Sequence, residues 1–428
     1  MSMNIALTGL KAATTDLGVV SNNIANSNTT GFKTSRAEFG DMVSGNSANS
    51  SGMGVDLQAI NQQFKQGNID STGRTLDLAI SGEGFFQLNS ATGTVYTRAG
   101  GFLLQAPSPT APNKQYIVNN LGQNLMGFPA VNGQISAPGG PQKLFIDTSS
   151  MPGTATANAT FNVNLDAGED TALDPANFDL NDLSTAHYST ALTVYDSLGI
   201  SHELRVYFIR EDPAVNTWTV RAALDGGVPI TAGPPTDYTV YDIGELEFDE
   251  NGVIVQDVPP TNPLNGVFPD IAINPDNSAA NPLSITLDFS KVTQFGGQYS
   301  ANSLSQDGNA MGLFTDITID DRGIIYGRYS NGTSRPVGQV ALANFPNPQG
   351  LQPVGDTNWV ATSESGQAQV GAPQTGTLGK LVSGALEASN VDLTEQLVNM
   401  IVAQRNFQAN AQVITTNNTL YQTILNVR

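Results

Sequence analysis

The sequence predicts a mainly β protein with α-helical termini. In this fold the N- and C-terminal helices form a coiled-coil-like domain, an outer β domain is nested between them, and a second β domain is inserted into the first. Two observations predict it: apolar residues recur every seven positions at both ends of the chain, and short apolar runs alternate with Gly- and Asn-rich turns between the ends. A third observation, the acidic middle of the chain, marks the inserted domain.

The N-terminal helix is predicted within residues 1–30. Two apolar series with seven-residue spacing lie side by side in this segment: Met3, Leu10, Leu17 and Ile24 in one, and Ala6, Ala13 and Val20 in the other. Such spacing produces one apolar stripe along a helix. The pattern then ends in residues that favour helix termination and turns: Asn22, Asn23, Asn26, Asn28 and Gly31.

Residues 388–428 repeat this pattern over a longer span. Their two series are Leu393, Met400, Phe407, Ile414 and Tyr421, and Leu397, Gln404, Ala411, Asn418 and Leu425. The alternation of four- and three-residue steps is typical of a coiled-coil seam. Asp392 and Glu395 resemble a capping box at the start of the helix. The pattern predicts a helix of about 35 residues, or roughly 50 Å.

The polar faces of these two helices favour contacts with several neighbouring helices. Residues 1–30 contain only Lys11 and Asp16 as charges, whereas an isolated two-helix coiled coil usually carries Glu and Lys beside its seam. An ordinary intramolecular helix pair is the alternative. We therefore predict a terminal polymerisation domain whose subunit interface contains Met3, Leu7, Leu10, Leu17, Val20, Ile24, Leu393, Leu397, Met400, Phe407, Ile414, Tyr421 and Leu425.

The region between the helices divides into a connector and two β domains. Residues 31–75 are predicted to be an extended or irregular connector, and residues 76–145 and 291–387 a discontinuous β domain. In the first block, 76–80 and 85–88 are predicted to pair as a hairpin. In the second block, three strands from 313 to 345 are predicted to form a meander across two tight turns.

Residues 146–290 are predicted to form the inserted acidic β domain, in which the alternation of Phe161, Val163 and Leu165, and similar alternation at 204–208 and 285–289, predicts strands. The segment 141–290 holds 22 of the 38 acidic residues and only 4 of the 18 basic ones. This charge argues against nucleic acid or an anionic membrane as a partner, although solubility alone also accounts for it. The chain has no cysteine, which excludes disulfides and thiolate chemistry. It also has no apolar stretch of the roughly 18 residues that a membrane span needs.

Catalytic and metal-binding motifs are not found in the sequence. Its two histidines, His187 and His202, lie in polar or turn-rich surroundings that favour a surface role. An acidic run could hold Ca²⁺ but lacks the spacing of an EF-hand loop, so a solvated loop is the better interpretation: Asp166, Glu169, Asp170, Asp174, Asp179 and Asp182. We predict no catalytic, cofactor-binding or metal-binding residues, and no enzymatic activity.

Several segments resemble the axial proteins of the bacterial flagellum, the rod and hook family. They are residues 21–33, the block LDLAISGEGFF at 76–86, YTRAG at 96–100, LEASNVD at 386–392 and QRNF at 404–407. These segments lie in the family's order and cover both termini and the outer β domain. The signature residues are Asn22, Asn23, Asn26, Gly31, Phe32, Ser389, Asn390, Asp392, Gln404 and Arg405.

The large insert and the segments 191–208 and 340–345 resemble the hook branch of that family. This resemblance implies a structural subunit that polymerises with itself into a curved, flexible tube, a universal joint that transmits motor torque to the filament. It also implies rod, hook cap and hook–filament junction proteins as partners, and an extracellular location reached through the type III export apparatus without a cleaved signal peptide. Two alternatives stay open: a distal rod or junction subunit, and a secreted surface- or carbohydrate-binding β protein.

Overall fold

The computed structural model describes residues 2–43, 52–106, 109–131, 133–135, 139–180, 182–214, 216–224, 240–255, 266–273 and 283–426. The chain forms two compact units. The first unit comprises Met1–Thr148, Thr315–Arg328 and Ser334–Arg428, and the second unit comprises Ser149–Phe314 and Tyr329–Thr333. The prediction of a mainly β chain with helical termini is confirmed.

The strands follow one another along the chain in three groups. The first group is β1 (Ser35–Val43), β2 (Gly52–Gln62), β3 (Ile69–Ser71), β4 (Leu78–Ser81), β5 (Phe85–Ser90), β6 (Gly93–Thr97), β7 (Phe102–Leu104), β8 (Lys114–Asn119), β9 (Asn124–Val131), β10 (Gln134–Ile135), β11 (Gln142–Lys143) and β12 (Phe145–Asp147). The second is β13 (Asn158–Asp166), β14 (Tyr188–Tyr195), β15 (Ser201–Asp212), β16 (Thr217–Leu224), β17 (Tyr241–Glu247), β18 (Val267–Ile273), β19 (Leu283–Asp288), β20 (Thr293–Phe295) and β21 (Ser300–Gln306). The third is β22 (Phe314–Ile319), β23 (Ile324–Tyr329), β24 (Ser334–Val340), β25 (Leu342–Asn344), β26 (Gln352–Gly355), β27 (Asn358–Val360), β28 (Gln369–Gly371), β29 (Lys380–Ser383) and β30 (Ala385–Glu387).

Two α-helices occupy the ends of the first unit. Helix α1 spans Ser2–Ala25 and helix α2 spans Leu393–Asn426, and the two pack against each other. Asn23, near the end of α1, donates to Gln396 at the start of α2 over 3.0 Å. Near the other end of α1, Gly9 lies against Asn410. The helices are therefore antiparallel, and the C-terminal part of the longer α2 extends past the start of α1.

The first and last groups of strands share one large sheet. Among the described residues this sheet has 15 strands, with the order β22-β23-β24-β9-β5-β6-β27-β26 along its main path. The predicted meander is present as β22, β23 and β24. Strands from the two groups pair directly, for example β24 with β9 and β25 with β5. An aromatic cluster packs on this sheet: Phe64, Phe85, Tyr96, Phe345 and Trp359.

The hairpin predicted over residues 76–88 is wrong, although both of its strands exist. Strand β4 pairs with β29, and strand β5 pairs with β6, β9 and β25 instead of β4. Gly82 and Gly84, in the turn between them, have φ values of +116° and +121°. Only glycine adopts such values readily, so this turn redirects the chain away from its neighbour in sequence.

The predicted connector 31–75 is more regular than expected. Strands β1 and β2 form a long antiparallel pair from Ser35↔Gln62 to Val43↔Gly52, and β3 pairs with β30. Residues 44–51 of the predicted connector lie outside the described residues. The β1–β2 pair packs on α1, where the amide of Val55 donates to Thr8 Oγ1 over 3.3 Å. Pairing and packing, rather than strand propensity, determine these strands.

The second unit is a β sandwich with its own core. A five-stranded sheet (β18, β19, β13, β20 and β21) and a four-stranded sheet (β14 to β17) contribute side chains to one buried cluster. Along β13 the residues Ala159, Phe161, Val163 and Leu165 are buried and their neighbours are not, as period-two strands require. The alternation at 204–208 and 285–289 also places its apolar side chains in this core.

The second unit continues beyond the boundary predicted at residue 290. Strands β20 and β21 both pair with β13, so residues 291–314 belong to the sandwich and not to the outer β domain in which they were expected. Short strands give no sequence signal for which of two neighbouring sheets they join, because both sheets offer the same backbone hydrogen bonds. No helix in the described part of the chain is both long and apolar enough for a membrane span.

Candidate assembly surface on the terminal helices

Small and polar side chains take part in the contact between α1 and α2, at Asn23 with Gln396 and at Gly9 with Asn410. Ala6 and Ala13 are buried on α1, and Ala403 is fully buried on α2. A Cβ atom on Gly9 would lie only 2.7 Å from Asn410 Oδ1, so the backbones approach closely at this point. Small residues allow such an approach but fill little volume.

Large apolar side chains on both helices are exposed. Those on α1 are Met3, Ile5 and Leu7, and those on α2 are Leu393, Leu397, Val398, Ile401, Val402, Phe407, Val413, Leu420 and Tyr421. On α2 they are spread around most of the helix circumference. Polar side chains lie between them, so these residues do not form one narrow stripe that a single neighbouring helix would cover.

The residues predicted to form the subunit interface differ in exposure. Val20 is buried; Leu10, Leu17, Ile24, Met400 and Ile414 are half-buried. The exposed members are Met3, Leu7, Leu393, Leu397, Phe407 and Tyr421. The side chain of Leu425 lies outside the described residues. The seven-residue spacing missed the exposed Ile5, Val398, Ile401, Val402, Val413 and Leu420, because they fall outside the two series.

Asp392 and Asn390 lie just before α2: Asp392 caps the helix, and Asn390 attaches it to the connector. Asp392 Oδ1 accepts the backbone N–H groups of Thr394 and Glu395 at 2.8 and 3.1 Å, which satisfies two free donors of the first helical turn. Asn390 Oδ1 accepts the amide of Thr34 at 2.8 Å, and its Nδ2 donates to the carbonyl of Gln63 at 2.7 Å. One asparagine therefore joins both sides of the connector to the entry of α2.

Asn23 performs the same task at the end of α1. Its Nδ2 donates to the carbonyl of Ser35 at 2.8 Å, its Oδ1 accepts the amide of Ser35 at 2.9 Å, and Nδ2 also reaches Gln396. Both Asn23 and Gln396 are buried. A buried amide with these partners holds α1, β1 and α2 in one arrangement.

The other signature residues have varied surroundings. Asn26 donates to the carbonyl of Asn22 over 3.0 Å at the end of α1, and Ser389 Oγ accepts the amide of Val391. Gly31 has φ of +72°, and a Cβ there would meet the backbone of Ala99 at 2.5 Å, so no other residue fits. Phe32 is half-buried, and Gln404 and Arg405 are exposed on α2.

A buried ion triad of Lys33, Arg98 and Glu387 lies where the connector meets the sheet. Lys33 Nζ is 2.6 Å from Glu387 Oε1, and Arg98 Nη1 is 3.1 Å from Glu387 Oε2. All three side chains are buried. Burial lowers the pKa of Lys33 and of Arg98, and the Glu387 carboxylate opposes both shifts. The segments that resemble the flagellar axial family contain all three residues, but nothing in the sequence indicated that the three are partners.

The predicted surface role of the histidines holds for neither side chain fully. His187 Nδ1 accepts the amide of Arg210 at 3.1 Å, and the His187 ring packs edge-on against Trp218. His202 is buried, 3.4 Å from Asp196.

Within the described ranges no three His, Cys, Asp or Glu side chains are grouped as a metal site requires. Two open clefts of about 760 Å³ in the first unit are lined without histidine.

Three family models match separate parts of the chain. The "Flagella basal body rod protein" family matches residues 3–33, the "Flagellar basal body protein FlaE D2 domain" matches 164–309, and the "Flagellar basal body rod FlgEFG protein C-terminal" matches 382–427. The first contains α1 except for Ser2, the last contains all of α2, and the middle match lies within the second unit.

Whole-length relatives are also found. The flagellar hook protein FlgE of Salmonella typhimurium is 37% identical over 431 residues, covering 100% of both chains. That of Escherichia coli is 37% identical over 432 residues with the same coverage, and that of Borreliella burgdorferi is 33% identical over 451 residues, covering 100% of this chain and 99% of its own. The chain belongs to the flagellar hook protein family. A crystal structure of Helicobacter pylori flagellar hook protein FlgE2 aligns with a TM-score of 0.49 at 16% identity, covering 74% of this chain and 100% of that one.

Proposed function

We propose that this hook-family chain is a structural subunit that polymerises with copies of itself through α1 and α2. One observation carries the proposal: the two helices already pack against each other, and yet many of their large apolar side chains, most of them on α2, stay exposed. Exposed apolar area of this kind, on helices that already have a partner, marks a surface for further protein contacts. In a homopolymer the partner is another copy of the same helices.

A tube requires contacts between different patches on successive subunits, because identical patches would close a dimer. The exposed side chains on α1 lie near its first turns, whereas those on α2 occur along most of its length. These are two different surfaces, and their pairing between subunits extends without closing. The exposed members of the predicted interface and the six residues outside the heptad series contribute together to this contact.

The finer parts of the proposal follow from membership in the hook family. They are a curved, flexible tube that transmits torque, contacts with rod, hook cap and junction proteins, and an extracellular location reached through the type III export apparatus. The acidic second unit supports solvent-facing placement, because like-charged surfaces keep neighbouring copies hydrated and only weakly attached. The relatives of this chain are hook proteins, and we assign the chain no catalytic role.

The first test is negative-stain electron microscopy of the full-length chain beside a variant lacking residues 1–30 and 389–428. We expect tubes from the full-length chain only. Because the second unit has its own core, the shortened variant is expected to keep the circular dichroism of folded β structure. Tubes from both proteins, or monodisperse particles from both under polymerising conditions, would reject assembly through the helices.

A point variant tests the surface itself. Val398 and Ile401 are 56% and 51% exposed on one side of α2. We expect Val398→Ser with Ile401→Ser to abolish tubes or raise the critical concentration, while the monomer's thermal midpoint stays unchanged, since Ser, Val and Ile have similar helix propensities. The matched control is Gln408→Ser on the same helix, which should assemble as the wild type does. Equal assembly of the two variants would contradict the proposal.

A further inference from the structure

The buried ion triad lies where both terminal helices leave the rest of the first unit. Lys33 follows the end of α1 and precedes β1, and Glu387 ends β30 shortly before α2 begins. Arg98 follows β6 of the large sheet. The three charged groups therefore come from the two helix connections and from the sheet.

Glu387 accepts four hydrogen bonds at this junction. Its Oε1 accepts from Lys33 Nζ at 2.6 Å and from the amide of Gly67 at 2.9 Å, and its Oε2 accepts from Arg98 at 3.1 Å. Its backbone carbonyl accepts the amide of Gly31 at 2.8 Å. Glu387 thus joins the connector, on both sides of the β1–β2 pair, to the sheet and to the segment that leads into α2.

The cations around Glu387 are fixed in turn by other groups. Lys33 Nζ also donates to the carbonyl of Lys65 at 2.7 Å, and Arg98 Nη2 donates to the carbonyl of Gly82 at 2.9 Å. The guanidinium of Arg98 lies 5.4 Å from the ring centre of Phe85. Each charge therefore has a defined position, and a small rotation of the helix pair against the sheet would break several contacts at once.

A buried arrangement of this kind adds little net stability, because removing the charges from water costs as much as their attraction returns. Its distinctive effect is directional, since apolar side chains would pack in several orientations and the charge-assisted bonds accept only one. A contact whose main effect is orientation, placed where two assembly helices leave a sheet, fits a role in subunit geometry.

We infer that Glu387 is a positioning residue that fixes the direction of α1 and α2 relative to the large sheet. The inference rests on the proposed function in one respect: the direction matters because the helices make the contacts of the tube. Uniform subunits require one direction, since a helical polymer repeats the geometry of its subunit at every step.

The test measures this direction in the monomer by electron–electron double resonance. The chain has no native cysteine, so spin labels can be placed at Gln408→Cys on α2 and Ala91→Cys in the turn after β5, both exposed. We expect a narrow distance distribution in the otherwise unchanged chain. Glu387→Gln, which places an amide N–H donor against Arg98 or Lys33, should widen it, and the charge-conserving Lys33→Arg should keep it narrower than Glu387→Gln does.

A second variant separates orientation from folding, because Glu387→Gln leaves two buried cations unpaired. It combines Lys33→Met, Arg98→Met and Glu387→Met, which removes all three charges. We expect this variant to fold, by circular dichroism, and to give a wide distribution. The matched control is Leu381→Ala, a buried substitution on β29 that lowers the thermal midpoint without touching the triad.

Three results would overturn the inference. The first is a distance distribution in the triple-methionine variant as narrow as in the unchanged chain. The second is a distance distribution widened equally by Leu381→Ala. The third is failure of both triad variants to fold, which would make the triad a folding element. Tube formation by the unchanged chain is read separately, so loss of the proposed function would not be mistaken for loss of the positioning role.

Discussion

The second unit and the terminal helix pair bury apolar surface in opposite ways. The sandwich encloses its large side chains, among them Phe161, Phe208, Trp218 and Phe289, in one core between two sheets. The helix pair buries mainly small side chains, such as Ala13, Val20 and Ala403, and leaves Leu397, Ile401 and similar side chains exposed. The sandwich is complete as a single copy. In the proposed assembly, further copies cover the exposed helix side chains, so one chain would carry both a folding core and an assembly surface.

The largest expected effect on stability comes from a substitution in the sandwich core. Phe208 is fully buried between the two sheets, and Phe208→Ala should lower the free energy of unfolding of the second unit by about 3–5 kcal/mol, through lost burial and the cavity that remains. The measurement is denaturant unfolding followed on Trp218 in a Trp359→Phe background, which leaves it as the single tryptophan.

The matching substitution on the helix surface should cost almost nothing. Val398→Ala truncates an exposed side chain, so it should change the free energy of unfolding by less than about 0.5 kcal/mol. The measurement is denaturant unfolding followed by the helix signal in circular dichroism. Losses of equal size for Phe208→Ala and Val398→Ala would remove the contrast between the two regions.

The second effect sharpens the small-residue contact between α1 and α2. Ala403 is fully buried, and Ala403→Leu should lower the free energy of unfolding of the helix pair by about 1–3 kcal/mol, because the larger side chain forces the backbones apart. Ala409→Leu on the exposed side of the same helix is the control and should be neutral. Thermal melting of the helix signal distinguishes them, and a neutral Ala403→Leu would show that the helices do not pack closely.

The third effect concerns the start of α2. Asp392 caps two backbone N–H groups, and Asp392→Ala should lower the free energy of unfolding by about 1 kcal/mol, whereas Asp392→Asn should preserve most of it. Chemical denaturation of both variants provides the measurement. If Asp392→Asn were as damaging as Asp392→Ala, the capping hydrogen bonds would not be what Asp392 contributes.

The smallest effect is a pH dependence within the second unit. Burial, assisted by the charges of Glu169 and Asp166, raises the pKa of Tyr188 to about 12 from its ordinary value of 10.0. The folded state therefore keeps a proton that the unfolded state loses, so stability contributed by Tyr188 falls as pH rises from about 10 to about 12. The absorbance difference near 295 nm between the unchanged chain and Tyr188→Phe should have its midpoint near pH 12; a midpoint near 10 would contradict this.

Local patterns predicted the elements of the fold better than their partners. The seven-residue series predicted both helices, and the alternation of Phe161, Val163 and Leu165 predicted a half-buried strand, because side-chain periodicity follows directly from backbone geometry. The same patterns gave the wrong partner for β4 and missed β1 and β2. Strand pairing depends on which distant segment supplies hydrogen bonds, and a single strand does not encode that choice.

The sequence by itself determined the helical termini, the β character of the chain between them and the acidic inserted unit. It also identified several exposed side chains of the candidate assembly surface, such as Leu393 and Tyr421. Only the tertiary structure decided which helix residues are already used within the chain and which remain exposed, since a stripe has the same spacing in both cases. Only the tertiary structure also showed that Lys33, Arg98 and Glu387 meet, because Glu387 is far from both cations in sequence. Such charges are buried together only where their mutual attraction offsets the cost of removing them from water.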